Sequence, residues 1–311
     1  MQPMRTGLAF ICATVALAAG FGSMPAARAQ ATATLAVDQK PAAAPLDTNV
    51  CFTCHEAVFS KSFIKSHHAG LEQACASCHK GAPEHATAMQ AGTDNPPIPS
   101  LKKLSSAQIN ETCLGCHDKG KQANWAGGVH DRRNLNCTTC HGVHDYKSDQ
   151  HQLKAERDPE TCYSCHPAIR AKSLRSSHHP VREGLMTCGD CHNPHDSTTP
   201  KMISATWVNE KCLECHTEKR GPFLWEHAPV RENCLNCHDP HGSSHDKMLV
   251  AKQPYLCQRC HLNTRHPGTL YDGQNAATGV QVSNRAIEHA CRNCHQNVHG
   301  SNAPSGPYLG R

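Results

Sequence analysis

The chain has 311 residues and a formal charge of +5, with 25 His and 21 Cys but only three Trp, five Tyr and six Phe. A chain of this length normally makes two domains, yet so few aromatic side chains make a poor protein-only core. The 31 Lys and Arg are scattered without a long basic cluster, which argues against a nucleic-acid partner.

In chain order, residues 1–29 read as a secretory signal. Arg5 supplies the positive start, 8–21 is a short apolar run without charge, and Ala27-Arg28-Ala29 is a small-residue cleavage site. The run is too short to span a bilayer as a helix. No later stretch approaches it, so no transmembrane segment is expected. Cys12 lies inside the signal and leaves with it. Residues 30–46, rich in Ala, Thr and Pro, read as a flexible tether. Residues 47–311 form the remaining domain.

That domain carries the pattern Cys-x-x-Cys-His ten times. The copies are Cys51/Cys54/His55, Cys75/Cys78/His79, Cys113/Cys116/His117, Cys137/Cys140/His141 and Cys162/Cys165/His166, followed by Cys188/Cys191/His192, Cys212/Cys215/His216, Cys234/Cys237/His238, Cys257/Cys260/His261 and Cys291/Cys294/His295. This is the attachment signature of c-type haem. The thiols form thioethers to the porphyrin, and the adjacent His is an axial ligand to iron. A zinc ribbon or a redox dithiol also uses Cys-x-x-Cys, but neither needs a His at that fixed place ten times over. The motif cysteines and Cys12 account for all 21, so no thiol remains for a disulfide, another metal or a nucleophile.

Ten covalently bound haem c groups are therefore expected, at a periplasmic address, since such attachment takes place outside the bacterial cytoplasmic membrane. Loss of Arg5 and Arg28 lowers the formal charge from +5 to +3. Each ferric haem with ionised propionates adds about −1, which brings the loaded protein to about −7. The porphyrins supply the apolar surface that the chain lacks, so the haem-free chain is expected to be largely unfolded.

The motifs come in pairs, giving five two-haem repeats over 51–85, 113–144, 162–195, 212–241 and 257–299. The first Cys of the second motif follows that of the first by 24, 24, 26, 22 and 34 residues. The fold class expected is mostly irregular, with short α-helices and little or no β-structure: an elongated multihaem array in which each repeat touches its neighbours. Asn110, Asn209 and Asp158-Pro159 read as N-cap and first-turn residues of helices carrying first motifs. Val58, Phe59, Phe63 and Ile64 recur at helical spacing, as one face laid on a haem. Second motifs lie in turn-like surroundings such as His192-Asn193-Pro194-His195, and 94–99 is a proline-rich loop.

Fifteen histidines lie outside the motifs, and ten of them recur at equivalent places as candidate distal ligands. His85, His144, His195, His241 and His299 follow the second motifs. His67, His130, His178, His227 and His266 lie between the two motifs of a repeat. The match of His178-His179-Pro180-Val181-Arg182-Glu183 to His227-Ala228-Pro229-Val230-Arg231-Glu232 favours His178 over His179, and the same logic favours His67 over His68. His266 competes with His289 and is preferred because His289 stands only two residues before Cys291. His68, His151, His179, His245 and His289 are left as surplus. A ligand is free to serve a neighbouring repeat, so the sequence does not say which His serves which iron. With both axial positions filled, no iron is open to substrate, and the chain reads as an electron carrier without catalysis. Two alternatives stay open: an oxidoreductase with one ligand-poor haem, for which the irregular fifth repeat is the place, and a soluble periplasmic shuttle.

Two stretches carry a family likeness: 218–230, Glu-Lys-Arg-Gly-Pro-Phe-Leu-Trp-Glu-His-Ala-Pro-Val, and the ending from Cys294 to Gly306. With the ten motifs they make 47–311 resemble the MtrA/DmsE-type periplasmic decahaem cytochromes. The resemblance implies an electron conduit inserted in an outer-membrane β-barrel protein, working with an outer cytochrome on one side and periplasmic or inner-membrane cytochromes on the other. It implies a periplasmic location associated with the outer membrane, in metal reduction, iron(II) oxidation or a similar respiration.

Overall fold

The computed structural model describes residues 48–56, 61–94, 98, 100–196, 198–261, 290–304 and 306–310. The chain divides into two parts, 1–42 and 43–311, and the described residues belong to the second. Val58, Phe59, His266 and His289 lie outside them, as do 95–97 and 99 of the proline-rich stretch.

The attachment motif itself dictates the local fold. In nine motifs the His N–H donates to the carbonyl of the first Cys, at 2.8–3.1 Å, closing one helical turn. Residues three and four apart share a helix face, so the turn presents both thiols and the imidazole together. Each first motif is seated at a short helix: Thr48–His55, Ser106–Leu114, Asp158–Tyr163, Val208–Leu213 and Tyr255–Gln258. Second motifs make only a turn, as Ala74–Cys78, Cys137–Cys140, Cys188–Asp190, Cys234–Asn236 and Cys291–Asn293. Among the described residues there are twelve short α-helices, several 3-10 turns and no strand, only isolated bridges.

Helix starts differ in part from expectation. Asp158 and Pro159 do occupy the first turn of Asp158–Tyr163, with Arg157 as its N-cap. Asn110 and Asn209 are not N-caps. Ser105 caps the helix of Asn110 in a reciprocal capping box with Gln108, and Trp207 stands at the start of Val208–Leu213. Asn110 and Asn209 instead sit inside their helices, 4% and 7% exposed. Their carboxamides reach across the repeat. Asn110 Oδ1 accepts from the Cys137 N–H at 3.0 Å while Nδ2 donates to the Leu135 carbonyl at 3.2 Å. Asn209 Oδ1 accepts from the Cys234 N–H at 2.8 Å while Nδ2 donates to the carbonyls of Val230 and Arg231, both at 3.0 Å. A buried amide gains most when all its groups are paired, and here the pairing staples first motif to second.

After the second motifs of repeats two to five the chain folds back on itself in the same way, whereas that of the first repeat runs into the helix Ala82–Ala91. Gly142, Asn193, Asp239 and Asn297 donate their N–H to the carbonyls of Gln152, Met202, Met248 and Leu309. Those acceptors all lie at φ between 52° and 57°, a left-handed turn that reverses the chain. Successive repeats are joined by two-residue bridges, Ser177 with Ser243 and Trp225 with Ser301.

Protein-only burial is thin. Phe63, Ala74, Ala82, Ile109, Trp125 and Tyr146 are the buried hydrophobic residues among those described, and no large side chain is more than 98% enclosed. Phe63 is 4% exposed and stacks on His144 at 5.2 Å, whereas Ile64 is 61% exposed. Of the helical face inferred there, Phe63 is buried and Ile64 is not, and Val58 and Phe59 lie outside the described residues. Among the described residues no helix is long and apolar enough to cross a membrane.

Candidate haem-binding sites

The thiols fall into a single file. Within each repeat the first cysteines of the two motifs lie close enough to perturb each other's ionisation: Cys51 with Cys75, Cys113 with Cys137, Cys162 with Cys188, Cys212 with Cys234 and Cys257 with Cys291. Between repeats, burial pushes Cys78, Cys140, Cys191 and Cys237 up in pKa. The next first motif adds to it, through Cys113, Cys165, Cys212 and Cys260 respectively. All nine successive motif pairs are thus neighbours, and order along the chain is order in space.

The motif treats its two thiols alike, but the structure does not. The second Cys of every first motif stands exposed: Cys54, Cys116, Cys165, Cys215 and Cys260. Cys294 is exposed as well, and the other motif cysteines are half-buried. The reason is positional. The first Cys of each motif leans on its counterpart within the repeat, whereas Cys116, Cys165, Cys215 and Cys260 lie two residues past the ends of their helices and Cys54 lies in the last turn of its own. Protein packing therefore does not enclose these six thiols. Exposure suits a thioether site, because a sulfur that bonds a porphyrin laid against the chain needs open space beside it.

The histidines pair across this file. Ring centroids lie 6.2 Å apart for His55 and His85, 5.9 Å for His68 and His117, and 6.1 Å for His79 and His144. They lie 6.4 Å apart for His130 and His166, 6.0 Å for His141 and His195, and 6.3 Å for His179 and His216. The remaining separations are 6.0 Å for His192 and His241, 6.2 Å for His227 and His261, and 6.2 Å for His238 and His299. A metal about 2 Å from each imidazole nitrogen, with each ring centre roughly another 1 Å behind, sets two rings on its opposite sides about 6 Å apart. The nine separations fit six-coordinate iron carrying two imidazoles.

Tautomers agree with that use. His141, His192, His238 and His295, all in second motifs, donate Nδ1–H to the carbonyls of His151, Lys201, Lys247 and Tyr308 at 2.7–2.8 Å. His130, His179 and His227 donate to those of Pro194, Pro240 and Val298 at 2.8–2.9 Å. A carbonyl only accepts, so the proton is on Nδ1 and Nε2 is left as the metal ligand, its ring orientation fixed from behind. The neutral form that a metal requires is also enforced by burial. Desolvation first, then the facing His141, push His195 down to about 4. Burial likewise lowers His68, His79, His141, His241 and His299.

Of the candidate ligands, His85, His130, His144, His195, His227, His241 and His299 each face a motif His. Only His85 faces one of its own repeat. His68, His130, His179 and His227 face the first motif of the following repeat. His144, His195, His241 and His299 face the second motif of the preceding one.

Two candidates are replaced by their neighbours. His67 is exposed while His68 faces His117. His178 points away from the file, its Nε2 3.1 Å from Glu183 Oε1 and its Nδ1 2.5 Å from the Arg175 carbonyl, while His179 faces His216. The register is set by the inter-repeat bridge, which holds Ser177 two residues before His179 and Trp225 two residues before His227. The shared Pro-Val-Arg-Glu tetrad is one residue out of step with that bridge, so aligning on it favours His178 where the bridge brings His179 to the file. His266 and His289, the competing candidates between the motifs of the fifth repeat, lie outside the described residues. Among the described residues no cluster of His, Cys, Asp and Glu forms a further metal site.

One junction recurs. The turn 192–195 contains motif His192, the Pro194 carbonyl that holds His130, and His195 itself, so it touches three attachment sites. The turn 238–241 does the same through His238, Pro240 and His241, and 295–299 through His295, Val298 and His299. The first two of these junctions are closed by an Asx-type turn. His195 N–H donates to Asn193 Oδ1, and His241 N–H to Asp239 Oδ1, both at 3.2 Å.

Comparison with known proteins agrees. The doubled CXXCH motif family matches 178–221 and 227–266, and the cytochrome c-type protein NrfB-like family matches 87–157. The multihaem cytochrome MtrA of Shewanella baltica is 43% identical over 251 residues, covering 79% of this chain and 73% of that one. A high-molecular-weight cytochrome c of Nitratidesulfovibrio vulgaris is 26% identical over 150 residues, 48% of this chain and 25% of its own length.

Proposed function

The chain belongs to the MtrA family of multihaem c-type cytochromes, and from that premise we propose that it is a ten-haem electron wire with every iron closed. Haem supplies one-electron exchange at iron; the chain fixes the order of the ten attachments and fills both axial positions. The distal set is His68, His85, His130, His144, His179, His195, His227, His241 and His299, with His266 serving the iron of His295. The carrying observation is the set of nine imidazole pairs at 5.9–6.4 Å along an unbroken file of thiols. At those nine irons such an arrangement would leave substrate no vacant coordination position, which supports electron transfer rather than catalysis.

The finer reading is that the protein follows a secretory signal over 1–29 and a tether over 30–46 and works in the periplasm, docked in an outer-membrane β-barrel partner. There it passes electrons between periplasmic or inner-membrane cytochromes and an outer cytochrome, in metal reduction, iron(II) oxidation or a similar respiration. Family membership supports this, and an insulating barrel would keep polar loops out of lipid. Two measurements test it. Electron paramagnetic resonance of the oxidised protein is expected to show ten low-spin irons, and a high-spin iron that turns over nitrite or hydroxylamine overturns the closed-wire reading. Affinity purification from membranes is expected to bring down an outer-membrane barrel; recovery of the protein alone in the periplasmic fraction overturns the conduit and leaves a shuttle.

A further inference from the structure

The three-site junctions are alike in backbone but not in charge. They are opened by Asn193, Asp239 and Asn297, with Gly142 at the matching place in repeat two, all equivalent by the N–H bond each makes to the returning chain. Three are neutral and one is a carboxylate. Asp239 Oδ1 lies 3.8 Å from Nδ1 of His241, a ring that stacks against motif His192 at 6.0 Å. By contrast, the Nδ1 atoms of His85, His144 and His195, at the matching place after other second motifs, are buried with no hydrogen-bond partner among the described residues.

The carboxylate is not left alone. Lys172, from the preceding repeat, places Nζ 2.7 Å from Asp239 Oδ2, with the two side chains 37% and 18% exposed. Its backbone is pressed into the same junction. Gly242 has φ of 126°, and a Cβ there would overlap the Lys172 carbonyl oxygen. The matching Gly300 is overlaid by Phe223 instead. Lys121 and Lys219 lie near His195 and His299 as well, so what sets this junction apart is the carboxylate with which Lys172 pairs.

We propose that Asp239 and Lys172 form a charge pair that sets the reduction potentials at attachments six to eight, in the middle of the file. This rests on the axial-ligand assignment above. A carboxylate beside an iron ligand strengthens it as a donor and favours the oxidised state; an ammonium at the same place does the reverse. The two charges hold the junction between these limits, and either one alone displaces it.

Potentiometric titration of the full-length, haem-loaded protein, followed by haem absorbance, tests the pair. D239N keeps the turn, because Asn already serves at 193 and 297, and is expected to move about one to three tenths of the titration to higher potential. K172M is expected to move a similar share to lower potential, and the double variant to return close to the parent curve. Opposite signs with mutual cancellation are not produced by a loss of packing. Singles that shift in one direction, or a D239N curve that overlays the parent, overturn the proposal. Should K172M load fewer haems than the parent, D239N and K172R decide it: a raised curve for the first with an unmoved curve for the second supports the pair, and any other result overturns it. Low-spin resonance from the unmodified protein tests the ligand assignment separately, so the two failures are distinguishable.

Discussion

Removal of the His299 imidazole discriminates between ligation within a repeat and ligation across repeats. His299 stands four residues after motif His295, but its ring faces His238, 6.2 Å away. In H299A all cysteines remain, so the haem-to-protein ratio is expected to be unchanged. The iron of His238 loses its second imidazole, and the space left by the ring admits water or carbon monoxide. One iron in about ten is affected. Electron paramagnetic resonance should therefore show about a tenth of the iron high-spin, and the reduced protein should bind about one carbon monoxide per chain. Added imidazole should restore the low-spin signal. Identity is settled by removing attachments. In a C234A/C237A background the H299A substitution is expected to add no high-spin iron, while in a C291A/C294A background the signal persists. The opposite pattern would show that His299 serves its own repeat and would refute the relay.

Three other outcomes are expected. H68A and H179A should each open one iron to carbon monoxide, whereas H67A and H178A should leave all irons low-spin; the reverse would restore the tetrad alignment. N209A leaves the Cys234 N–H and two carbonyls without their partner, and should lower stability by about 1–3 kcal/mol, read as a lower melting temperature in the Soret circular dichroism at full haem content. The haem-free chain should show little native-like far-ultraviolet circular dichroism, because so few apolar side chains are buried by protein alone; helical content equal to that of the loaded protein would contradict this.

The attachment sites were legible in the sequence because covalent chemistry writes them in five adjacent residues, and one helical turn suffices to present them. The scarcity of strands and the seating of first motifs on short helices followed from the same local signals. What five residues do not carry is the setting of each thiol: Cys54, Cys116 and Cys215 are exposed where Cys51, Cys113 and Cys212 are half-buried, because only the latter meet the other motif of the repeat. The partner of each imidazole was not legible either. Asn110 looks like a helix cap because it stands three residues before Cys113, whereas its carboxamide is committed to a backbone amide 27 residues away. His178 looks like the ligand because its doublet runs into Pro-Val-Arg-Glu as His227-Ala228 does. The decision is made instead by Ser243 and the Pro240 carbonyl, in the next repeat. Local motifs report what a segment attaches to; a bridge formed about 60 residues later sets which face it turns.

The passing of ligands between repeats has a consequence for how such a chain can change its length. On the proposed ligand assignment, an interior repeat lends one imidazole forward and one backward, and borrows one from each side. If the third repeat were excised, His130 would stand ready for the iron of His216 and His241 for that of His141, with no metal stranded. Insertion of a copy is equally balanced. The number of haems can therefore grow or shrink by twos without redesign, while any odd cut exposes an iron. His55 and His85, which close on each other within the first repeat, form the fixed terminus from which that counting starts.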